Sequence, residues 1–483
     1  MREPSPARSR LRVGHFSHKG LAGIAERSQL LDRIPHRSYF LETNIPKMIP
    51  MLESFMRCLC HHLKYRPLHF TEVRLLMIKR IFGIGIASLW ALAGLLPFTQ
   101  MPALVMSYDL SCEPGPVYPC VEDFGDHFWV DSQYLFWKIK NCPEHTPFVY
   151  KGPSGGKTPP VLGDKGTSVV LGGKDIDTHW RSGGKFTFGY WFDDRLTFGG
   201  EINYFFVPNT WHSQSVSSDG SRDSTLLRIP YFDVRTSQES SAALATPRVF
   251  SGKASLKLVN RMQGTELNLL QKFPSFAGVS ITGLGGFRYW CFKEHLSFVT
   301  SSPFVDLPLD IYKSKEHFNT ENDFVGGQFG LLLTYNWKRF FVTAKTKLAL
   351  GGMYGTVDIK GELATNEFTD LVKVQHFPGG YFALPTNIGK HRRTKFAVLP
   401  EVNLTVGCEL FDCGRIELGY TFLYANKVLR AGKQVNPNIN PTQSTIYTNT
   451  PKPKLKGKRS PQAEVKTEGL WAQGLNVGIV FQF

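Results

Sequence analysis

From His127 onward the chain alternates. Phe186, Phe188, Tyr190 and Phe192 interleave with Lys185, Thr187, Gly189 and Trp191. After the tight turn Asp193-Asp194-Arg195 the same beat returns in Leu196, Phe198, Gly200, Ile202, Tyr204 and Phe206. It recurs in Phe396, Val398, Pro400, Val402, Leu404 and Val406, and again in Ile416, Leu418, Tyr420 and Phe422. A period of two sends successive side chains to opposite faces of a strand, so each segment has one bulky apolar face and one small or polar face. The pattern predicts about twelve strands, near 128–139, 184–192, 195–207, 253–262, 265–273, 279–292, 295–302, 322–336, 339–353, 394–410, 414–427 and 470–483. The longer ones exceed the usual length of about 5–6 residues. They reach the roughly 9–11 residues that a tilted strand needs to cross a bilayer.

The links between these strands sort by length. Those at 140–183, 208–252, 303–321, 354–393 and 428–469 are long and rich in Gly, Pro, Ser, Thr, Asn and Lys. The alternate links are two to four residues, and only 274–278 breaks the order. Short turns at one end and long loops at the other are the pattern of an outer-membrane barrel. A soluble sandwich has no reason to sort its loops by side. The chain ends in a strand with Leu475, Val477, Ile479, Phe481 and Phe483 on one face. Phe481 and the terminal Phe483 resemble the signal read by the bacterial barrel-assembly machinery. The sequence therefore predicts an all-β fold, a transmembrane antiparallel up-and-down β-barrel of about 12 strands with long extracellular loops. Aromatic residues near strand ends, among them Tyr190, Tyr204, Tyr289, Trp290, Tyr335, Trp337, Tyr420 and Trp471, are candidates for interfacial girdles.

Ahead of the barrel stands a different kind of chain. Residues 1–76 are rich in Arg and His without a clear period and carry a net charge of +7. Met77-Ile78-Lys79-Arg80 then leads into an apolar run from Ile81 to Leu96, a positive segment followed by a hydrophobic one, as in a secretory signal. We expect translation to start at Met77, with 1–76 an over-called, disordered extension. A signal peptide is expected over 77–107, cleaved after Val105-Met106-Ser107, which leaves the apolar run whole, in preference to Ala91-Leu92-Ala93; a short periplasmic linker over 108–126 and the barrel over 127–483 follow. A cytosolic tail before a single anchor is the alternative. Without residues 1–107 the formal charge falls from +16 to +7, spread over the remaining 376 residues. Nucleic acid is therefore not an expected partner.

The strand faces place Glu201, Arg288, Lys345, Lys347, Glu401, Glu409, Arg415 and Glu417 on the inside. Charges of both signs there can line a water path or bridge the lumen and plug it. Cys112 and Cys120 bracket a Pro-rich stretch, and Cys408 and Cys413 flank a predicted hairpin turn. In an exported chain these four are possible disulfide partners, or small apolar residues. Neither the cysteines nor the eight scattered histidines after the signal form a metal pattern. Gly152-Pro153-Ser154-Gly155-Gly156-Lys157-Thr158 resembles a phosphate loop but has Lys151 where its first Gly belongs, and reads as a surface loop. No cofactor is expected.

Several segments together resemble the beta-barrel porin-7 family of outer-membrane proteins. They are Phe128-Trp129-Val130 through Trp137, Gly189-Tyr190-Trp191-Phe192-Asp193, Gly286-Phe287-Arg288-Tyr289 and Asn322 through Gln328. Leu384-Pro385-Thr386-Asn387-Ile388-Gly389, Gly419 through Tyr424 and Trp471 through Asn476 complete the set. The resemblance runs from about His127 to Phe483. It implies a porin-like barrel in the bacterial outer membrane and brings no catalytic residues. The expected partners are outer-membrane lipid, the assembly machinery and, through an open lumen, small solutes. The expected function is non-enzymatic: a passive porin-like channel or a structural envelope component. A surface-loop adhesin is the alternative. A less favoured one is an outer-membrane hydrolase using His295 and Ser297, which resemble the His-x-Ser of outer-membrane phospholipases.

Overall fold

The computed structural model describes residues 127–153, 160–307, 309–369, 371–411 and 414–483. The expected extension, signal and linker, together with Cys112, Cys120, Cys413 and residues 154–158 of the phosphate-loop look-alike, lie outside the described residues. The strands are β1 (Phe128–Ile139), β2 (Pro147–Gly152), β3 (Ser168–Gly172), β4 (Trp180–Trp191), β5 (Phe198–Ser218), β6 (Leu226–Asp233), β7 (Gln238–Ala245) and β8 (Gly252–Phe276). They continue with β9 (Val279–Ser301), β10 (Tyr312–Trp337), β11 (Phe340–Thr365), β12 (Gln375–Pro378), β13 (Gly389–Phe411), β14 (Gly414–Leu429), β15 (Asn438–Ile439) and β16 (Thr467–Gln482).

Ten of these form the barrel. The order is β10-β9-β8-β5-β4-β1-β16-β14-β13-β11, and β10 pairs with β11 to close the ring. Every neighbouring pair in the ring is antiparallel. The short β12 hangs on β11 through four residue pairs. First and last strands meet along Trp129–Ile139 and Ala472–Gln482, and Phe128 and Phe483 exchange backbone hydrogen bonds of 2.9 and 2.7 Å.

The expected count of about twelve is corrected to ten. Segments 253–262 and 265–273 are one strand, β8, and segments 279–292 and 295–302 are one strand, β9. The reason is visible in β8. Even-numbered residues point inward from Gly252 to Leu270. Up to Met262 the inward set is Ala254, Leu256 and Leu258, and the outward set is Lys253, Lys257 and Arg261. Beyond Gly264 the inward set is Glu266, Asn268 and, last, Leu270, and the outward set is Leu267 and Leu269. Side-chain parity never changes, but the polarity of each face inverts, and that inversion reads as a break. With ten strands the 274–278 exception disappears: Ala277 (φ 51°) and Gly278 (φ 77°) make the tight turn between β8 and β9. Every short turn is then at one end and every long connection at the other.

The inversion also locates the membrane. Strands β5, β8, β9, β10, β11 and β13 have 21–26 residues, about twice what a bilayer requires. Their halves near the short turns carry outward apolar residues such as Leu267, Phe287, Phe329, Leu331, Val342 and Leu404, all exposed. Tyr190, Tyr204, Tyr289, Tyr335, Trp337 and Tyr420 are also exposed and outward, whereas Trp290 is fully buried inside the barrel, against expectation. The far halves rise above this band with polar outer faces.

The long connections are not simple loops. They fold into a second sheet of order β15-β6-β2-β3, with β7 on β6. Phe148, Val149, Leu171, Leu227 and Ile229 from this cap share one core with inward residues of the barrel mouth, Leu256, Leu258, Leu296, Phe298 and Phe318. The rings of Phe148 and Phe298 lie 4.6 Å apart and those of Phe148 and Phe382 5.1 Å.

Gly286 tests the closed wall. A Cβ there would lie 1.9 Å from the Leu267 carbonyl oxygen, whereas one on neighbouring Gly285 meets nothing nearer than 4.0 Å. Gly286→Ala is expected to lower the yield of heat-modifiable, gel-compact barrel, and Gly285→Ala to leave it unchanged.

Candidate functional site: the barrel lumen

Inside the membrane band the inward faces of nearly every strand are polar, and a salt-bridge tier spans them. Lys347 Nζ on β11 lies 2.8 Å from Glu266 Oε1 on β8 and 2.7 Å from Glu401 Oε1 on β13. Arg288 Nη2 on β9 lies 2.5 Å from Glu401 Oε2 and 3.5 Å from Glu266 Oε1. Lys345 donates to Glu201 Oε1 at 2.8 Å, and Asn268 donates to the same oxygen at 3.0 Å. Gln328 Nε2 donates to Glu266 at 3.1 Å and to Asn268 at 2.5 Å. Three cations thus face three carboxylates across the lumen, and Arg288, Lys347, Glu266, Glu201 and Glu401 are all buried. A carboxylate costs several kcal/mol to dehydrate and is tolerated only where counter-charges and donors surround it. The tier meets that condition.

Toward the cap the lumen turns apolar. Leu135, Trp137, Phe205, Met262, Trp290, Phe292, Phe324, Leu399 and Leu423 form one buried cluster drawn from facing walls. Trp137 Nε1 donates to Asn476 Oδ1 at 2.8 Å at the lower edge of this layer. Above it the Arg430 guanidinium grips Glu294 with Nε and Nη2, each at 3.0 Å, and both side chains are fully buried. Higher still, Glu316 accepts the backbone N–H groups of Tyr381, Phe382 and Ala383 at 2.7, 2.8 and 2.7 Å, which ties the β12–β13 connection into the mouth. The lumen is therefore filled in tiers: ionic, apolar, ionic, and then the cap core.

Of the eight expected lumen residues, Glu201, Arg288, Lys345, Lys347 and Glu401 meet in the ionic tier. Arg415 and Glu417 pair with each other at 3.3 Å nearer the short turns, and the Arg415 guanidinium lies 5.0 Å from the Phe341 ring. Glu409 is exposed at the end of β13 and stands apart. The centre of the tier, Glu266, is not among the eight, because the change of face polarity at Gly264 beside it mimics a strand break. Glu294, Glu316 and Arg430 are not among them either, because the polar outer faces of the upper barrel and the Gly- and Pro-rich connections give no sign of a packed interior. The apolar runs Pro147-Phe148-Val149-Tyr150 and Leu226-Leu227-Arg228-Ile229 were the available signal.

The hydrolase alternative meets mixed geometry on the outer wall. His295 Nδ1 bonds to Asn319 Oδ1 on the next strand, and the His295 ring stacks on His317 at 5.0 Å. Ser297 is buried, in register with Lys257 and His317, and no hydrogen bond joins it to His295 among the described residues. Cys408 is half-buried with its prospective partner Cys413 outside the described residues.

Nothing among curated proteins matches the chain. Among solved structures it is distantly similar to the outer membrane protease OmpT from Escherichia coli, at 8% identity and a TM-score of 0.33, covering 75% of this chain and 99% of that one. It is also similar to the P. putida toluene transporter TodX, at 9% identity and a TM-score of 0.20, covering 74% of this chain and 90% of that one. A family model, described as beta barrel porin-7, matches residues 129–483.

Removing one member of the ionic tier leaves its partners buried and uncompensated, at a cost of about 3–5 kcal/mol. Lys347→Met is expected to destabilise the barrel by that order in urea unfolding from lipid vesicles. Adding Glu266→Gln to Lys347→Met should recover part of the loss.

Proposed function

Because this chain belongs to the beta barrel porin-7 family, we propose that it is an outer-membrane barrel whose resting lumen is closed, a structural component of the envelope. One observation carries this reading: the apolar cluster that runs from wall to wall above the ionic tier. Trp290, Phe292, Phe324 and Leu399 are at 0% exposure, which leaves no passage the width of a water molecule beside them. Cap and tiers then serve rigidity. Export is proposed to use the signal beginning near Met77, and assembly to use Phe481 and Phe483.

The chain is expected to be electrically silent in planar bilayers at all voltages. A steady ohmic current from the wild type would overturn the closed-lumen reading and favour a passive channel.

A second reading, contact with outside partners through the cap, is favoured by the connection between β14 and β16. Lys452, Lys454, Lys456, Lys458 and Arg459 are exposed, and residues 449–463 contain no acidic residue. The backbone of this stretch is held in place. Asn440 Nδ2 donates to the carbonyls of Lys456 and Lys458 at 2.8 and 2.7 Å, Lys456 N donates to Thr442 Oγ1 at 2.9 Å, and Gln443 Nε2 donates to Ser460 O at 2.6 Å. Fixing like charges side by side opposes their repulsion, and a rigid cationic ridge binds a polyanion with less ordering cost than a loose one. Replacing the four lysines with Ser is expected to abolish retention on dextran sulfate at physiological salt while leaving the barrel folded. Unchanged retention would exclude this ridge.

A further inference from the structure

The seam between β4 and β5 is not closed along its whole length. Above the pair Gly184–Phe206, β4 continues to Trp180 against β1 alone, and β5 continues to Ser218 against β8 alone. Two histidines meet where the strands part. His179 directly precedes β4 and has left-handed backbone geometry, with φ 45°. His212 lies just past the register slip between Val207 and Thr210 in β5, opposite Leu258. Bulges and left-handed non-glycine residues are the usual devices for re-aiming a side chain, and both need support from their surroundings. Here they bring His179 Nε2 to 3.3 Å from His212 Nδ1.

The outer nitrogens of both rings are occupied. His179 Nδ1 lies 3.1 Å from Asp177 Oδ2, and Asp177 is itself held by Lys138 and by the His179 backbone N–H at 3.0 Å. His212 Nε2 lies 3.2 Å from Gln214 Nε2, and with that amide turned over, an assignment the hydrogen-bond network alone decides, the Gln214 oxygen accepts from the ring instead. If each outer nitrogen donates, each inner nitrogen turns a lone pair toward the other. Two lone pairs 3.3 Å apart repel unless a cation lies between them. Two imidazole nitrogens bound to one tetrahedral zinc at about 2.0–2.1 Å stand about 3.3 Å apart. A carboxylate on the far nitrogen is the usual support for a metal-binding histidine.

We propose that His179 and His212 chelate a divalent transition-metal ion, Zn2+ or Cu2+, at the open end of the β4–β5 seam, with Asp177 as a positioning residue. Beside the pair is a cleft of about 70 Å³ lined by Thr178, Arg181, Thr210 and Asn260 among others. A cavity needs about 10–15 Å³ to admit a water, so the cleft has room for solvent to complete four-coordination. The sites are 33 positions apart in the chain, so spacing alone conceals the pair.

The test is Zn2+ titration of the full-length folded protein, beside a His179→Ala/His212→Ala double variant that retains heat-modifiable mobility. The wild type should bind one more Zn2+ per chain than the double variant. Each single variant should weaken that site at least tenfold, and Asp177→Asn should weaken it about 10–100-fold. One equivalent of Cu2+ should give an electron paramagnetic resonance spectrum with two nitrogen couplings, absent from the double variant. Equal stoichiometry and affinity in wild type and double variant would show that the rings merely share a proton, and would overturn the proposal. Should the variants fail to fold, Zn2+ protection of His179 and His212 from diethylpyrocarbonate in the wild type decides: undiminished labelling of both also overturns it.

Discussion

A backbone amide in hydrocarbon has no water to turn to. Each unpaired N–H or carbonyl there costs several kcal/mol, so a sheet that crosses a membrane must close on itself. The remaining features follow from how ten strands meet that demand. Ten strands make a narrow cylinder, and narrow barrels fill with their own side chains. Once the inward faces are crowded, any charge among them must find a partner inside the protein. The arrangement of Lys345, Lys347 and Arg288 against Glu201, Glu266 and Glu401 is the result.

Much of this was legible in residue order, and the failures have a common physical cause. Alternation located the strands, and loop sorting separated the barrel's short-turn end from its capped end. The same alternation miscounted them because hydropathy reports what surrounds a face, and the surroundings of β8 and β9 change along their length. Near the turns the outside is lipid and the inside is polar. Near the cap the outside is water and the inside is packed protein. A single strand crossing that boundary keeps its parity and exchanges its polarity at Gly264 in β8. Strands of ordinary length never meet this boundary, which is why the rule of one pattern per strand failed here.

The site was legible only in part for a related reason. Glu201, Lys345 and Glu401 sit in the lower stretches of their strands, between outward residues such as Ile202, Val342 and Leu404, so their inward direction could be read locally. Glu266 could not, since its side was defined by a strand not yet joined to its other half. Arg430 lies past the end of β14, and its partner Glu294 lies on another strand 136 positions away. No local pattern links them. The cap failed differently: Gly and Pro marked its connections as loops, while the short apolar runs that build its core were too brief to register as strands.

One feature of the seam bears on how such a molecule comes into being. Trp137 on β1 reaches Asn476 on β16, a partner 339 positions later in the chain. Asn476 in turn donates to Thr421 on β14 at 2.6 Å. The first strand to emerge during synthesis therefore waits for the last, and the buried indole N–H has its acceptor only when nine other strands are in place. Premature joining of β1 to an interior strand would leave that donor stranded in an apolar layer. The contact thus acts as a checkpoint on ring size, rewarding the complete circuit over any smaller one.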